Sequence, residues 1–513
     1  MSKLILYEDH AREEILKGIA EVARAVGTTM GPRGRNVLID RPGVGPVFTH
    51  DGVTVAKAMD LSKKNPARKA GADLLRRASM LMNDEVGDGT TTVSVLTAEL
   101  AILMASDAKK TNSMAVKHYY DGQLPKIVEA LREQAVEVKT LKELTNLAVV
   151  SSQNEELGKL IAEVVHTIGA EGTVNIEETS DSEDSFELIS GYTFDQGYAI
   201  PHMANNREFT KAVYNNVPVL VVAKKIAYAT DIVQIMDALV KNGSRELVII
   251  CAGIEGEALT FLAHNKQQSQ FFTLAVKAPG VGNVQKDYLA DIAVTVGATL
   301  IDPDQGDNLR EVTLDQLGKA NKVISTKEKT SILTDESKEV LDWIKGVRKR
   351  IAESKSEHEK EQLTARVASL EGRVATIKIG GKTPQEVEEK RFRVDDAVAA
   401  CKAGLTDGLV DGGGMALRRV AEEANVGTKL GKVLKHPSTM IMENAGLDPD
   451  LLDKLELGTG IDVLTGAHIN MQKAGIVDPV KATIKAVETA FSIAGMAVTT
   501  GALIIDEPEK EEK

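Results

Sequence analysis

Val86-Gly87-Asp88-Gly89-Thr90-Thr91-Thr92 is a glycine-rich turn set between two helical patterns. Before it, Leu74, Ala78, Leu81 and Met82 recur at helical spacing across Ala67–Glu85; after it, Thr92 runs straight into the apolar Val93-Ser94-Val95-Leu96. A helix N-terminus offers unpaired N–H groups and the positive end of a dipole, so Gly89, Thr90, Thr91 and Thr92 can hold a phosphate with backbone and hydroxyl donors. The glycines let the backbone come close, and Asp88 adds a hard carboxylate oxygen of the sort that recruits Mg2+ to a nucleotide. The same residues would also make an ordinary threonine N-cap on a glycine loop, and the run alone does not choose between the two.

Neither of the other glycine motifs competes with this run. Gly381-Lys382-Thr383 has Thr376 where a phosphate loop needs its first glycine, so it reads as a turn before a helix. Gly280-Val281-Gly282 has Gln285 where a dinucleotide fingerprint needs its third.

Outward from the turn, Ile15, Ile19, Val22 and Val26 mark a helix that ends near Gly27–Gly31. Asn36–Asp40 reads as a strand, and Thr49-His50-Asp51-Gly52 leads into a helix over Val53–Leu61. The centre differs in texture. Val219–Ala223, Leu247–Ile250, Phe272–Val276 and Ala298–Ile301 are short apolar runs separated by helical patterns, which predicts parallel strands with crossover helices. Two charged amphipathic helices follow, one marked by Val340, Ile344, Val347 and Ile351 and one by Leu363, Val367 and Leu370, able to pair as a hairpin. Beyond Lys382 the pattern is helical to Gly408, and Gly412-Gly413-Gly414 opens a last helical region. The two ends match and the middle does not, which fits an insertion into a discontinuous end domain.

A chain of 513 residues is too long for one ordinary core. With aromatics at 4% and Trp343 the sole tryptophan, its cores must be built from Ala, Val, Ile, Leu and Met, which suits closely packed helices. A net charge of -13 without a dominant Lys/Arg block argues against a nucleic-acid groove. Cys251 and Cys401 stand far apart, which indicates neither a disulfide framework nor a cysteine zinc cluster and favours a reducing compartment. The opening MSKLILYEDHAREEILKG lacks a signal-peptide core, and no run of about 18 apolar residues stands out, so no membrane association is expected.

Thr29-Met30-Gly31-Pro32-Arg33-Gly34-Arg35-Asn36, Gly87–Thr92, Val394-Asp395-Asp396-Ala397 and Asp411–Gly414 stand in an order and spacing that resemble a group I chaperonin, the Hsp60 or GroEL type, in a divergent form. Lys277-Ala278-Pro279-Gly280 and Gly475-Ile476-Val477-Asp478-Pro479 extend the likeness, which runs from about Asp9 to Asp506. The resemblance implies a multidomain α/β chaperonin fold: a mostly helical, discontinuous equatorial domain (1–133 and 409–513), a small intermediate hinge domain (134–190 and 374–408) and an α/β apical domain (191–373). It implies an ATPase that uses ATP, Mg2+ and K+. Thr29, Met30, Gly31 and Pro32 would contact the phosphates, with the main chains of Thr29 and His50 holding K+. Asp88 would ligate Mg2+, and Gly89, Thr90, Thr91 and Thr92 would cradle the phosphates. Gly413, Asp462, Val463, Leu464 and Asp478 would contact ribose and adenine. Asp396 would orient or activate the attacking water with Asp51 assisting, its arrival depending on hinge closure. Gly191, Gly372 and Gly408 would be hinges.

By the same resemblance the partners are further copies of the chain in a ring of about seven subunits, unfolded polypeptides, and a lid co-chaperonin of the GroES/Hsp10 type, in a cytoplasm, bacterial or phage-infected. The polypeptide and lid positions are Tyr198, His202, Met203, Val233, Met236, Leu259, Ala263 and His264, a smaller and more polar patch than the family's, which implies weaker or narrower client binding. His50 stands where lysine or asparagine is usual, so a role for its side chain would make the nucleotide response pH-dependent near neutrality. Arg373 after Gly372 points to a stiffer hinge. The short stretch between Gly414 and Asp462 leaves ring number open, and the tail Glu507–Lys513 is charged. A non-cycling scaffold or holdase is the chief alternative; a small-molecule kinase would share the phosphate site but lacks an evident acceptor pocket.

Overall fold

The apolar run after Gly89 forms the helix Thr90–Ala108, in which Val93, Val95, Leu96, Leu100, Ala101 and Met104 are buried. Helices Glu8–Gly27, Pro66–Glu85, Thr428–Asn444 and Val480–Thr499 pack around it, which is why it is apolar on nearly every side. By length and composition it is the one helix among the described residues that could cross a membrane, a feature missed in the sequence; burial in this core accounts for it.

The computed structural model describes residues 3–41, 45–61, 65–170, 172–179, 184–206, 210–335, 337–354, 356–370 and 373–506. It divides into two compact units: Met1–Glu171 with Ile176–Ser185 and Lys378–Lys513, and Gly172–Asn175 with Phe186–Ile377. Both ends of the chain therefore share the first unit and the second is an insertion. Most of the segments assigned to an intermediate domain fall in the first unit. Gly372 and the tail Glu507–Lys513 lie outside the described residues.

In the second unit the central strand Ala212–Ile226 pairs in parallel with Glu246–Ile254, which pairs in parallel with Phe272–Lys277. On its other side Ala212–Ile226 runs antiparallel to Gly318–Ser325, followed by Thr330–Leu333 and Ser185–Phe194. The sheet is thus mixed, not wholly parallel. The run Ala298–Ile301 makes only a bridge between Ile301 and Val222, because Pro303 lacks an N–H and opens a 3-10 turn. Helices Gly282–Val296, Lys338–Glu353 and Glu357–Leu370 pack together against one another.

Two of the expected hinge glycines are placed differently from one another. Gly191 stands inside Ser185–Phe194 opposite Leu333, where an added Cβ would lie 2.8 Å from the Ile332 carbonyl oxygen; it is a close-packing glycine within a ladder. Gly408, with φ +88°, ends the helix Pro384–Asp407.

Candidate functional site

The left-handed Gly89 precedes Thr90 without a side-chain cap, so the first N–H groups of Thr90–Ala108 keep no capping side chain. Asp88 Oδ1 accepts from the Gly89 amide at 2.6 Å, which fixes the carboxylate beside that helix start. Gly87 is needed for a neighbour: a Cβ there would meet Ala399 Cβ at 2.3 Å, so glycine lets the helix Pro384–Asp407, which carries Asp396, lie against the Asp88 loop. Gly52 does the same for a second helix start, since its Cβ would fall 2.6 Å from Thr91 Oγ1. Asp51 caps that helix, Gly52–Ala58: Oδ1 accepts from Val53 N at 3.1 Å, and Oδ2 from Thr54 N at 2.9 Å and Thr54 Oγ1 at 2.6 Å. Three of its acceptor positions are used in this cap, and Oδ1, which accepts a single bond, keeps a further one while Asp51 lines the cavity.

Thr29–Pro32 follows the helix Glu8–Gly27, with Thr29 Oγ1 donating to the Val26 carbonyl at 2.8 Å. His50 packs over this loop: an added Cβ on Gly34 would lie 2.8 Å from His50 Cε1, and Nε2 is buried without a partner. Burial first, and the Arg393 charge second, hold its pKa below the ordinary value against Glu389 and Asp51. The neutral ring is favoured, so any pH response through this side chain shifts toward lower pH.

The C-terminal half closes the site through short pairings. Leu409–Asp411 runs antiparallel to Val477–Pro479 with Val410 opposite Asp478, which brings Asp478 beside the Gly412–Gly414 turn. Asp462 ends the strand Thr459–Asp462 and shapes the next turn, accepting from Leu464 N at 3.0 Å and Thr465 Oγ1 at 2.6 Å.

These segments line one cavity of about 630 Å³, wholly within the first unit. Thr29, Met30, Gly31 and Pro32 form one wall, with His50 and Asp51 beside them. Asp88, Gly89, Thr90, Thr91 and Thr92 form another, and Gly413, Asp462, Val463, Leu464 and Asp478 also line it. Asp396 already faces the same space. Two further walls are absent from the sequence reading: Leu147, Val150 and Ser151 with the turn Gln153–Glu155, and the apolar set Ile441, Met442, Leu452 and Met471. Their only sequence signal is ordinary helical apolar spacing, which does not distinguish a ligand wall from a core.

Three carboxylates on this cavity are pushed upward. Burial raises Asp88 against the Gly89 amide. Burial raises Asp396 well above its ordinary value, helped by the charges of Asp88, Asp51 and Asp395. Burial and then Asp88 push Asp478 up to about 7, against the Gly413 amide. Such clustering of uncompensated negative charge is where a cation or a proton is wanted. For Asp478, folding binds an extra proton between its ordinary value of 3.8 and about 7, so this group's contribution to stability is lost as pH rises through that window. Asp478→Asn is therefore expected to raise the melting temperature of the ligand-free protein at pH 8 relative to wild type, with the gain vanishing near pH 4. A difference that is the same at both pH values would refute the linkage.

The model of the TCP-1/cpn60 chaperonin family matches residues 22–508. The chain belongs to that family. Among solved structures this chaperonin is similar to the chaperonin gp146 of bacteriophage EL 2 (Pseudomonas aeruginosa) in two crystal forms, each in the presence of ATP-BeFx. The first has a TM-score of 0.73 at 22% identity over 98% of this chain and all of gp146, the second 0.65 at 22% over 98% and 99%.

The positions named for polypeptide and lid lie in the second unit of this chaperonin. His202 and His264 are exposed; Tyr198, Val233, Leu259 and Ala263 are half-buried. Met203 and Met236 are 1% and 4% exposed and belong to the core, where Met203 Sδ accepts from the Ala275 amide at 3.3 Å. Neither methionine is on the surface to adapt to a client, contrary to the expectation for them. The apolar face is correspondingly smaller.

Proposed function

We propose that this chaperonin hydrolyses ATP as a subunit of a closed homo-oligomeric ring and uses that hydrolysis to bind, enclose and fold polypeptides in the cytoplasm, under a lid co-chaperonin. One observation carries the reading: Asp88, the start of helix Thr90–Ala108 and Asp396 face one cavity that is also lined by the apolar Ile441, Met442, Leu452 and Met471. The amides, hydroxyls and carboxylates of that lining suit phosphates, while Ile441, Met442, Leu452 and Met471 suit a flat base. The presence of ATP-BeFx in the gp146 crystals supports a nucleotide.

Asp88 fits a hard cation, since it offers a buried carboxylate whose charge is uncompensated. Mg2+ would be shared between Asp88 and the phosphates. When bound, that ion neutralises charge on the phosphate oxygens. K+ would rest on the main-chain carbonyls of Thr29 and His50. The N–H and hydroxyl groups of Thr90–Thr92 orient the terminal phosphate. Asp396 accepts the proton of the attacking water, a task suited by its raised pKa. Asp51 remains a capping residue and an electrostatic neighbour.

Assembly is supported by two exposed ribbons. Lys3–Tyr7 pairs with Ala502–Asp506 and exposes Leu4, Ile5 and Ile504, and Val37–Arg41 pairs with Gly45–Thr49 and exposes Leu38 and Phe48. Isolated two-stranded edges of this kind favour addition of further strands from other copies. A scaffold or holdase is the second reading, favoured by the burial of Met203 and Met236 beside exposed His202 and His264. Phosphate release by the purified protein with and without Mg2+ and K+, together with negative-stain micrographs, separates the two. Rings with ion-dependent turnover are expected. Rings that capture an unfolded protein without hydrolysing ATP would establish the scaffold.

A further inference from the structure

The loop Thr29–Pro32 faces the cavity without belonging to a helix or strand, so something else must fix its distance from Gly89–Thr92. A single side chain does much of this. Asn444, the last residue of helix Thr428–Asn444, donates from Nδ2 to the Gly27 carbonyl and to the Met30 carbonyl, each at 2.9 Å. Both donors of one amide are spent on the two ends of the turn that leads into the loop. The same helical turn seats the loop by shape: Cβ atoms added to Gly31 and Gly27 would meet Ile441 Cγ2 at 3.1 Å and Met440 Sδ at 2.6 Å. On the other flank Arg33 Nη2 donates to the Leu464 carbonyl at 2.9 Å.

Helix Thr428–Asn444 also packs against Thr90–Ala108, whose N-terminus lines the same cavity, and its own Ser438, Ile441 and Met442 line the cavity too. One helix therefore touches both walls. We propose that Asn444 is a positioning residue of the nucleotide site, holding Thr29–Pro32 at the separation from Gly89–Thr92 that phosphates require. It acts through the loop carbonyls and touches no reacting atom. This inference rests on the nucleotide reading above.

Asn444→Asp keeps the shape of the side chain and turns two donors into acceptors facing two carbonyls. Titration with a fluorescent ADP analogue in Mg2+ is expected to show about tenfold weaker binding, the loss of roughly one to two net hydrogen bonds. KM for ATP should rise by a similar factor while kcat at saturation stays within about twofold, as for a group that contributes equally to ground and transition states. The melting temperature without nucleotide should move by only a few degrees. Unchanged ADP affinity would overturn the proposal, as would a parallel fall in affinity, kcat and melting temperature, which marks a structural cap. Should Asn444→Asp not fold, Arg33→Ala frees the other flank of the loop from an exposed position. It is expected to weaken ADP about threefold without altering the melting temperature, and equal binding there would overturn the proposal. A wild type that binds no ADP analogue refutes the nucleotide reading itself; a wild type that binds while the variants bind equally refutes only the role of Asn444.

Discussion

Asp396→Ala is expected to lower ATP turnover by about 100-fold or more while leaving nucleotide binding intact, because a positioned general base contributes roughly that much to a proton transfer. The separation of the two effects follows from the electrostatics of the cavity. Asp396 is buried, and Asp88, Asp51 and Asp395 oppose its ionisation. Its charge also repels phosphates, so removing it should leave the affinity for ATP equal or tighter. The same repulsion strains the folded protein wherever Asp396 is ionised, since a carboxylate with a raised pKa loses its contribution to stability as pH rises through the folded value. Asp396→Asn is thus expected to melt higher than wild type at pH 8 while turning over as poorly as the alanine variant, a trade of stability for activity. Steady-state phosphate release, ADP titration and a melting curve at pH 8 check all three parts. Retention of more than about a tenth of the wild-type turnover would remove Asp396 from the mechanism.

Legibility of the site in the sequence followed the backbone. Gly87–Thr92, Thr29–Pro32 and Asp411–Gly414 are runs in which main-chain geometry itself makes the wall, so residue type and order report the structure directly, and each contributes residues to the cavity, Asp88–Thr92, Thr29–Pro32 and Gly413–Gly414. Side-chain roles were less legible. Asp51 reads as an active-site carboxylate, and in the fold it also caps the helix Gly52–Ala58 through Val53 and Thr54, a second role that the residue type alone does not separate from the first. The wall from Leu147 to Glu155 and the seat from Met440 to Asn444 depend on which helices meet, and amphipathic spacing says only that a face is buried, not by what. Asn444 gave no signal at all, since a polar residue at a helix end is usually a cap.

The fold shows the same division. Alternating apolar runs and helices correctly marked Ala212–Ile226, Glu246–Ile254 and Phe272–Lys277 as parallel neighbours. The antiparallel additions Gly318–Ser325 and Thr330–Leu333 join through a tight turn between Thr326 and Lys329, whereas parallel neighbours need a crossover. Met203 and Met236 could not be placed without coordinates. Methionine suits a client-binding surface and a gap in a core equally well, and here the Ala275 amide and the neighbouring helices claim them.

Arg366→Ala is expected to destabilise the second unit by about 3–5 kcal/mol, the usual cost of leaving one partner of a buried ion pair alone. Arg366 is 3% exposed and sits on Glu357–Leu370. Its Nε and Nη2 each reach Asp291 at 2.8 Å, and Nη1 lies 2.8 Å from Asp287 Oδ2. Trp343, on Lys338–Glu353, donates from Nε1 to Asp291 Oδ1 at 2.7 Å. One guanidinium and one fully buried carboxylate therefore tie the two helices of the hairpin to Gly282–Val296. Burial opposes the charge on Arg366, but the bond to Asp291 and the charges of Asp291 and Asp287 outweigh it and raise its pKa. The net worth of such a pair against an apolar substitute is small, because desolvation offsets most of the attraction. Removal of the arginine alone differs: Asp291 stays at 0% exposure with the indole as its one remaining donor among these contacts. The melting transition of a unit of this size should fall by roughly 6–20 °C, at about 2–4 °C per kcal/mol. Arg366→Met combined with Asp291→Asn is expected to recover most of that loss, since neither partner is then a stranded charge. Calorimetry of Arg366→Ala and of the double variant decides it. A double variant as unstable as Arg366→Ala would mean that the ion pair itself, and not the stranded carboxylate, carries the stability of the hairpin.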